Sequence, residues 1–193
     1  MTDLLEHLNE PQRKAVTTTE GPLLVLAGAG SGKTRVLTHR IAYLVREKGV
    51  APGRILALTF TNKAAGEMKE RIGHLLARDP SGLWIGTFHS LSARLLRREA
   101  EHLGFTRAFT IYDQDDQLSL IRRIMDERNH SVKLYPPKLV QNLISSAKNR
   151  MQSAEELQRS APHDPAIQVA ADVYVAMQRA LHAANAMDFD DLL

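Results

Sequence analysis

The sequence contains no cysteine, which excludes disulfides, thiolate metal sites and cysteine nucleophiles. No apolar run approaches the length of a membrane span. In the opening stretch, Met1–Glu10, acids interrupt the apolar residues, so it does not read as a secretion signal. Internal repeats, low-complexity tracts and an obvious flexible linker are also missing. So is any large excess of one charge: the net charge is +3 over 193 residues, too small for composition alone to point to nucleic acid. These absences leave the expectation of a cytoplasmic globular protein without membrane association. Apolar residues make up 44% and charged residues 24%, ordinary proportions, and the length allows one large domain or two small ones.

Charge is spread unevenly. Residues 1–89 carry 12 Lys/Arg against 8 Asp/Glu, residues 90–150 carry 11 against 7, and residues 151–193 carry 2 against 7. Two basic stretches and an acidic tail suit a polyanionic partner, although solvated helix faces produce the same pattern.

The strongest local signal is Ala27-Gly28-Ala29-Gly30-Ser31-Gly32-Lys33-Thr34, directly after the apolar run Leu23-Leu24-Val25-Leu26. A strand feeding a glycine-rich loop that ends in Gly-Lys-Thr is a phosphate-binding P-loop. Gly28, Gly30 and Gly32 let successive N–H groups turn around a phosphate. Lys33 is expected on the outer phosphates and the Thr34 hydroxyl on Mg²⁺, with the positive end of a helix dipole behind them. Ala27 stands where the strict pattern has glycine. The loop predicts binding of a nucleoside triphosphate.

The first 89 residues alternate strand and helix. Strands are predicted at Leu23–Ala27, Ile55–Phe60 and Leu83–Phe88. Helices are predicted at Thr34–Glu47, with Leu37, Ile41, Leu44 and Val45 on one side, and at Lys63–Arg78, using Ala65, Met68, Ile72, Leu75 and Leu76. This alternation implies right-handed crossovers and a mostly parallel sheet. From His89 onward the pattern is helical, with one possible strand at Phe109–Tyr112. Helices are expected at Ser90–Leu103, with Leu91, Leu95, Leu96 and Leu103 inward, and after Asp113 or Asp115, carrying Leu118, Ile121, Ile124 and Met125. Further helices should follow Pro136-Pro137, using Leu139, Leu143, Ile144 and Ala147, the capping box at Ser153-x-x-Glu156, and Asp164-Pro165, with Ile167, Ala171, Tyr174 and Leu181.

Ligands in a parallel α/β sheet collect beyond the carboxyl ends of the strands. The second predicted strand ends in Thr59-Phe60-Thr61-Asn62-Lys63 and the third in Gly86-Thr87-Phe88-His89-Ser90. Thr61 or Asn62 can cap a helix and leave N–H groups for a phosphate, and Phe60 and Phe88 can offer faces to bases. Taken singly, Asn62 reads as a cap, both phenylalanines as core and His89 as a turn residue; their common edge with the P-loop favours a functional role. Arg94, Arg97 and Arg98 lie at i, i+3 and i+4, a spacing that can follow a phosphate backbone, or pair with Glu101.

Four segments make the chain resemble the N-terminal part of superfamily 1 DNA helicases of the UvrD/Rep/PcrA type. Leu8–Val16 resembles that family's Q motif, which implies that Gln12 reads the adenine edge; an amide offers a donor and an acceptor matching adenine N6 and N7. Ala27–Thr34 with Arg35 is similar to motif I, which implies phosphate and Mg²⁺ roles for Lys33 and Thr34 and packing of Arg35 on the adenine. Thr59–Ala65 resembles motif Ia and Gly86–Ser90 the next motif, which implies single-stranded DNA contacts by Thr59, Phe60, Thr61, Asn62, Lys63, Gly86, Thr87, Phe88 and His89. Weaker echoes occur at Tyr112–Gln117, Ser145–Asn149 and Asp188–Leu193.

The resemblance implies an α/β fold: a partial RecA-like P-loop NTPase sheet in residues 1–89, an inserted all-helical subdomain in 90–186, and the start of a return to the first domain in 187–193. A Mg²⁺-binding Walker B acid among Asp188, Asp190 and Asp191 is disfavoured, because Ala183–Met187 reads as a frayed helix end and the acids as the first turn of a new helix. The chain is therefore expected to stop before Walker B and to lack turnover alone, while its parent moves 3′→5′ along DNA in repair or replication using ATP. The other readings are a P-loop NTPase or kinase unrelated to DNA, and a RecB/AddA-type helicase-nuclease.

Overall fold

The computed structural model describes residues 4–193; Met1, Thr2 and Asp3, part of the stretch judged not to be a secretion signal, lie outside them. The chain divides into two compact units, one reaching Leu91 and one spanning Ser92–Leu193.

In the first unit, helix α1 (Glu10–Thr17) opens with a reciprocal cap. The Asn9 side chain accepts from the Gln12 N–H at 3.0 Å, and Gln12 Oε1 accepts from the Asn9 N–H at 3.2 Å. Helix α2 (Lys33–Arg46) starts at Gly32 in the left-handed region, φ 85°, with no side-chain cap. Strand β1 (Leu56–Thr59) and strand β2 (Trp84–Thr87) pair in parallel, with Leu56 opposite Trp84 and Thr59 opposite Thr87. Between them runs α3 (Asn62–Leu76), capped by Thr61, whose Oγ1 accepts from the Ala64 N–H at 3.1 Å. Thus Thr61, and not Asn62, is the cap. The core gathers Ile41 and Val45 of α2, Ala65, Met68 and Ile72 of α3, and Ile55, Leu83 and Ile85 around the strands. A second cluster, Leu8, Ala15, Val16 and Val36, joins α1 to α2. Arg40 ties the same helices by donating to the carbonyls of Ala15 and Thr18.

Leu23–Ala27 is not a strand here. The segment joins neither sheet, and Leu24 and Leu26 are 81% and 88% exposed. An apolar run fits a strand covered on both faces, but such a strand exists only when neighbours supply its ladder bonds. The run encodes the preference, not the partners. Leu37, expected on the buried side of α2, is likewise exposed.

The second unit is mostly helical. Helix α4 (Phe88–Glu99) crosses the division and continues as a 3₁₀ turn at Ala100–Leu103. Strand β3 (Thr110–Tyr112) precedes α5 (Gln114–Glu127), α6 (Pro137–Asn149), α7 (Ala154–Ser160) and α8 (Pro165–Ala183). Asp113, Ser153 and Asp164 cap α5, α7 and α8, each accepting from N–H groups of the first turn. The core takes Ile121, Ile124 and Met125 from α5, Val140, Ile144 and Ala147 from α6, Leu157 from α7, and Val173, Met177 and Leu181 from α8. Leu95, Leu103 and Leu139, predicted inward, are exposed; Ala93, Ala100 and Val140 are buried in their neighbourhoods.

The expected frayed helix end at Ala183–Met187 is also corrected. Helix α8 stops at Ala183, Asn185 adopts φ 49°, and Ala186–Asp188 forms strand β4, parallel to β3 with Tyr112 opposite Asp188. All three residues are buried. The acid at its end hides the strand in the sequence, because a carboxylate is buried only with a partner, and that partner, Lys148, lies on α6. Asp190 and Asp191 do sit in the first turn of a short 3₁₀ helix, as read.

Candidate nucleotide and nucleic-acid site

The glycine-rich loop ends where α2 begins, so the backbone that shapes it also sets the helix N-terminus. Gly30 and Gly32 have φ of 74° and 85°, a region closed to most side chains. Gly28 has no such φ, and a Cβ there would meet nothing within 4 Å. The conformational argument for glycine therefore holds at Gly30 and Gly32 and fails at Gly28. At Gly32 the constraint is double, since a Cβ would approach Gln12 Nε2 to 2.8 Å.

Lys33 turns back over its own loop: Nζ donates to the Ala27 carbonyl at 3.1 Å and the Gly28 carbonyl at 2.8 Å. Ser31 Oγ also donates to Gly28 O, at 2.7 Å. A phosphate entering the loop would draw the ammonium off neutral carbonyls onto charged oxygens, a stronger bond. Thr34 is exposed in the first turn of α2, and its carbonyl accepts from Thr38 Oγ1 at 3.0 Å. The left-handed glycines, the lysine and the uncapped helix N-terminus fit a triphosphate. Among the described residues no cluster of three or more His, Asp or Glu is arranged to hold a metal.

Gln12 joins this loop from another element. Its Nε2 donates to Ser31 O at 2.9 Å while its Oε1 caps α1. Both ends of the amide are therefore engaged, one with the helix and one with the loop. A cleft of about 510 Å³ opens on this side, walled by Gln12, Gly30–Arg35 and Arg71 of α3. Gln12, the loop and Arg35 are thus brought together as expected. Arg71 belongs to none of the sequence motifs; its helical position gave no signal beyond a charge on the polar side of α3.

The second and third predicted clusters meet as well. The Thr59–Thr87 pairing sets the carboxyl ends of β1 and β2 side by side, and Thr59 Oγ1 donates to Thr61 O at 3.0 Å and Gly86 O at 3.5 Å. Thr61, Asn62 and Lys63 are exposed at the start of α3, and Phe88 and His89 at the start of α4. Phe60 is 98% exposed and Phe88 51%, which removes the reading of both as core. Gly86 allows the tight β2–α4 corner, because a Cβ there would meet Ser90 Oγ at 2.4 Å. Two strand tips therefore converge; the third was to be Leu23–Ala27, which is unpaired.

In the second unit, Arg97 of the basic triplet lies over the Phe109 ring, 5.0 Å from its centroid, and Glu101 pairs with Arg107. The three weaker sequence echoes meet there in one network that spacing did not reveal. Lys148 Nζ lies 2.5 Å from Asp188 Oδ2 and 2.8 Å from Asp191 Oδ1. Gln117 Nε2 donates to Asp188 Oδ2 at 2.9 Å, and Asn149 Nδ2 to Asp190 Oδ1 at 3.2 Å. Burial opposes the Lys148 ammonium, but Asp191 and Asp188 outweigh it and raise its pKa above the ordinary 10.5. Burial pushes the Asp188 carboxyl up, whereas at Asp191 the same effect is outweighed by Lys148, which holds it down. Asp188 is thus committed to a lysine.

Comparison with known proteins gives a consistent picture. The chain is 52% identical over 192 residues to the ATP-dependent DNA helicase PcrA of Bacillus subtilis (strain 168), covering 98% of this chain and 26% of that protein. It is 49% identical over 193 residues to the PcrA helicases of Staphylococcus epidermidis (strain ATCC 12228 / FDA PCI 1200) and Staphylococcus aureus (strain NCTC 8325 / PS 47), covering all of this chain and 26% of each. The chain therefore spans about a quarter of the length of these curated relatives. The UvrD/REP helicase N-terminal domain matches residues 8–193, and the chain belongs to that family.

Proposed function

We propose that this chain is the ATP- and single-stranded-DNA-binding part of an ATP-dependent DNA helicase that translocates 3′→5′ in repair or replication. The observation that carries the reading is the joining of Gln12 to the glycine-rich loop at Ser31 O, beside Lys33 poised over its own carbonyls. ATP enters with its phosphates in the loop, Lys33 moves onto the outer phosphates, Thr34 takes Mg²⁺, and Gln12 and Arg35 meet the adenine. DNA passes over the carboxyl ends of β1 and β2, where Thr59–Lys63 hold phosphates and the exposed rings of Phe60 and Phe88 stack on bases. The paired strands belong to a RecA-like sheet in residues 1–89, with a helical insertion in 90–186 and a return from 187. The protein works in the cytoplasm.

A nucleotide-and-DNA titration tests this. Fluorescent ATP with Mg²⁺ should bind the native protein that carries this chain, and Lys33→Ala should weaken binding at least tenfold. Phe60→Ala should weaken single-stranded DNA binding by roughly 1–3 kcal/mol, with a salt dependence typical of phosphate contacts. Nucleotide binding without salt-dependent DNA binding would favour a P-loop NTPase or kinase unrelated to DNA. The 193-residue chain alone should show negligible ATPase with excess single-stranded DNA; robust turnover that Lys33→Ala abolishes would contradict this assignment of parts.

A further inference from the structure

A second cleft of the first unit, about 710 Å³, lies where α2 and the C-terminal end of α3 meet the turn at residues 4–7. It shares no residue with the cleft beside the glycine-rich loop. The better-covered part of its lining is aliphatic: Leu4 and Val45 are buried, and Leu75 and Leu76 half-buried. Ala77 adds a methyl group from the left-handed region, φ 51°, at a helix end that favours glycine. The more exposed part is basic. His7, His74 and Arg78 are exposed, His39 and Arg46 half-buried, and no described lining residue is an acid. Glu47 lies 2.8 Å from Arg46 and Glu70 3.8 Å from His74, but neither lines the cleft. The His74–Glu70 pair is largely exposed, so a competing carboxylate displaces it at little cost.

An apolar surface rimmed by polar groups is the form of a protein-docking site, and here the rim carries one sign of charge. We infer that this cleft docks an acidic amphipathic segment of a partner protein, with aliphatic side chains against Leu4, Val45, Leu75 and Leu76 and carboxylates toward His7, His74 and Arg78. The inference does not use the nucleotide reading. The basic groups stand on three different elements, so a single carboxylate answers one of them and a segment with repeated carboxylates answers several. Nucleic acid fits poorly, because no aromatic ring lines the cleft for a base to stack on and a phosphate backbone has nothing to place on the aliphatic wall. The histidines do not mark a metal site: among the described residues no three His, Asp or Glu are grouped to hold an ion. A helix with apolar residues at i, i+3, i+4 and i+7 and acids elsewhere matches both parts of the lining.

The test titrates the native protein that carries this chain with a panel of fluorescein-labelled synthetic peptides. Each has Leu, Ile, Phe or Met at i, i+3, i+4 and i+7 and Glu elsewhere, and each has a counterpart with Lys for Glu. Acidic members should bind with Kd below about 100 µM and weaken as salt rises. They should also shift the methyl NMR signals of Leu4, Val45, Leu75 and Leu76. His74→Glu/Arg78→Glu should weaken them at least tenfold and let the Lys counterparts bind instead, a swap that a merely structural role would not produce. Lys33→Ala should bind them like the parent. Three results overturn the inference: no acidic member binds, the Lys counterparts bind the parent equally well, or the shifted signals lie outside the cleft. Loss of binding in the double variant with a lowered melting temperature and no gain by the Lys peptides overturns it as well. Methyl contacts to another segment of the native protein before peptide is added make that segment the occupant, and overturn the partner.

Discussion

The two units treat the same kind of side chain in opposite ways. In the second, Ile144, Val140, Leu157 and Met177 are fully or almost fully buried within four helices, and even a lysine and two aspartates are drawn inside and matched. In the first, the run Leu23–Leu26 lies open, and Leu56 and Leu58 of β1 are exposed too. The side chains are aliphatic in both; what differs is whether the surrounding chain supplies partners. A helix satisfies its own backbone and needs only one covered face, whereas a strand depends on another strand for its ladder bonds and on further elements to cover its faces. The helical unit is thus closed within its own sequence, and the strand-bearing unit is open along one segment.

Removing a partner from the closed unit should produce the largest effect. Lys148→Met leaves Asp188 and Asp191 without their cation, at a cost of about 3–5 kcal/mol, measured by urea unfolding. The dependence on pH follows from the pKa directions. Lys148 is raised from 10.5, so its contribution is present below that value and lost only as pH climbs past the raised one. Asp191 is lowered from 3.8, so its contribution is present above that value and lost as pH falls through the lowered one. Asp188 is raised and works against these, since its ionised form is the costly one. In Lys148→Met the deficit should therefore be greatest near neutrality and shrink in acid, as the stranded carboxylates take up protons. A deficit unchanged by acid would deny that the network is electrostatic.

Matched truncations sharpen the contrast. Ile144→Ala should cost about 2–5 kcal/mol, because the methyl groups removed leave a cavity between α6 and α8. Leu26→Ala, which removes as much apolar surface from a side chain 88% exposed, should stay within about 0.5 kcal/mol. Comparable losses at the two positions would mean that Leu26 is buried in solution and that Leu23–Ala27 has found a partner.

Much of the helical architecture is legible in the sequence, because its signals are local. The Ser153 and Asp113 caps, the Asp164-Pro165 start and the periodicity of Ile121, Ile124 and Met125 each depend on residues within a few positions of one another. The P-loop is legible for the same reason: glycine spacing, lysine and helix start are contiguous. What escaped was non-local. The sequence promotes Leu23–Ala27 to a strand without supplying its neighbours, and it hides β4 because the burial of Asp188 depends on Lys148, forty residues away. Arg71 escaped because only the packing of α3 on α2 carries it to the cleft beside the glycine-rich loop. Phe60 shows how context shifts a reading: taken singly its aromatic character favours the core, and only its place at the strand end beside the glycine-rich loop points outward, where it is exposed.

The smallest energetic effect has a visible consequence in association. Leu24 and Leu26 present apolar surface on an extended backbone that joins no sheet, which is the template on which a second chain adds a strand. Lysine at an open edge opposes such pairing by charge repulsion and by the cost of burying an ammonium. The double substitution Leu24→Lys/Leu26→Lys should therefore change the unfolding free energy of the 193-residue chain by less than about 0.5 kcal/mol. It should nevertheless shift sedimentation equilibrium toward monomer, where the unsubstituted chain self-associates as concentration rises. The same charges on a longer native protein whose added segments pair with Leu23–Ala27 would be placed in its core, at a cost of several kcal/mol. One pair of substitutions thus separates an open edge from a covered one: harmless to the short chain and damaging to the long one if the partner strands lie outside these residues, harmless to both if the segment stays unpaired.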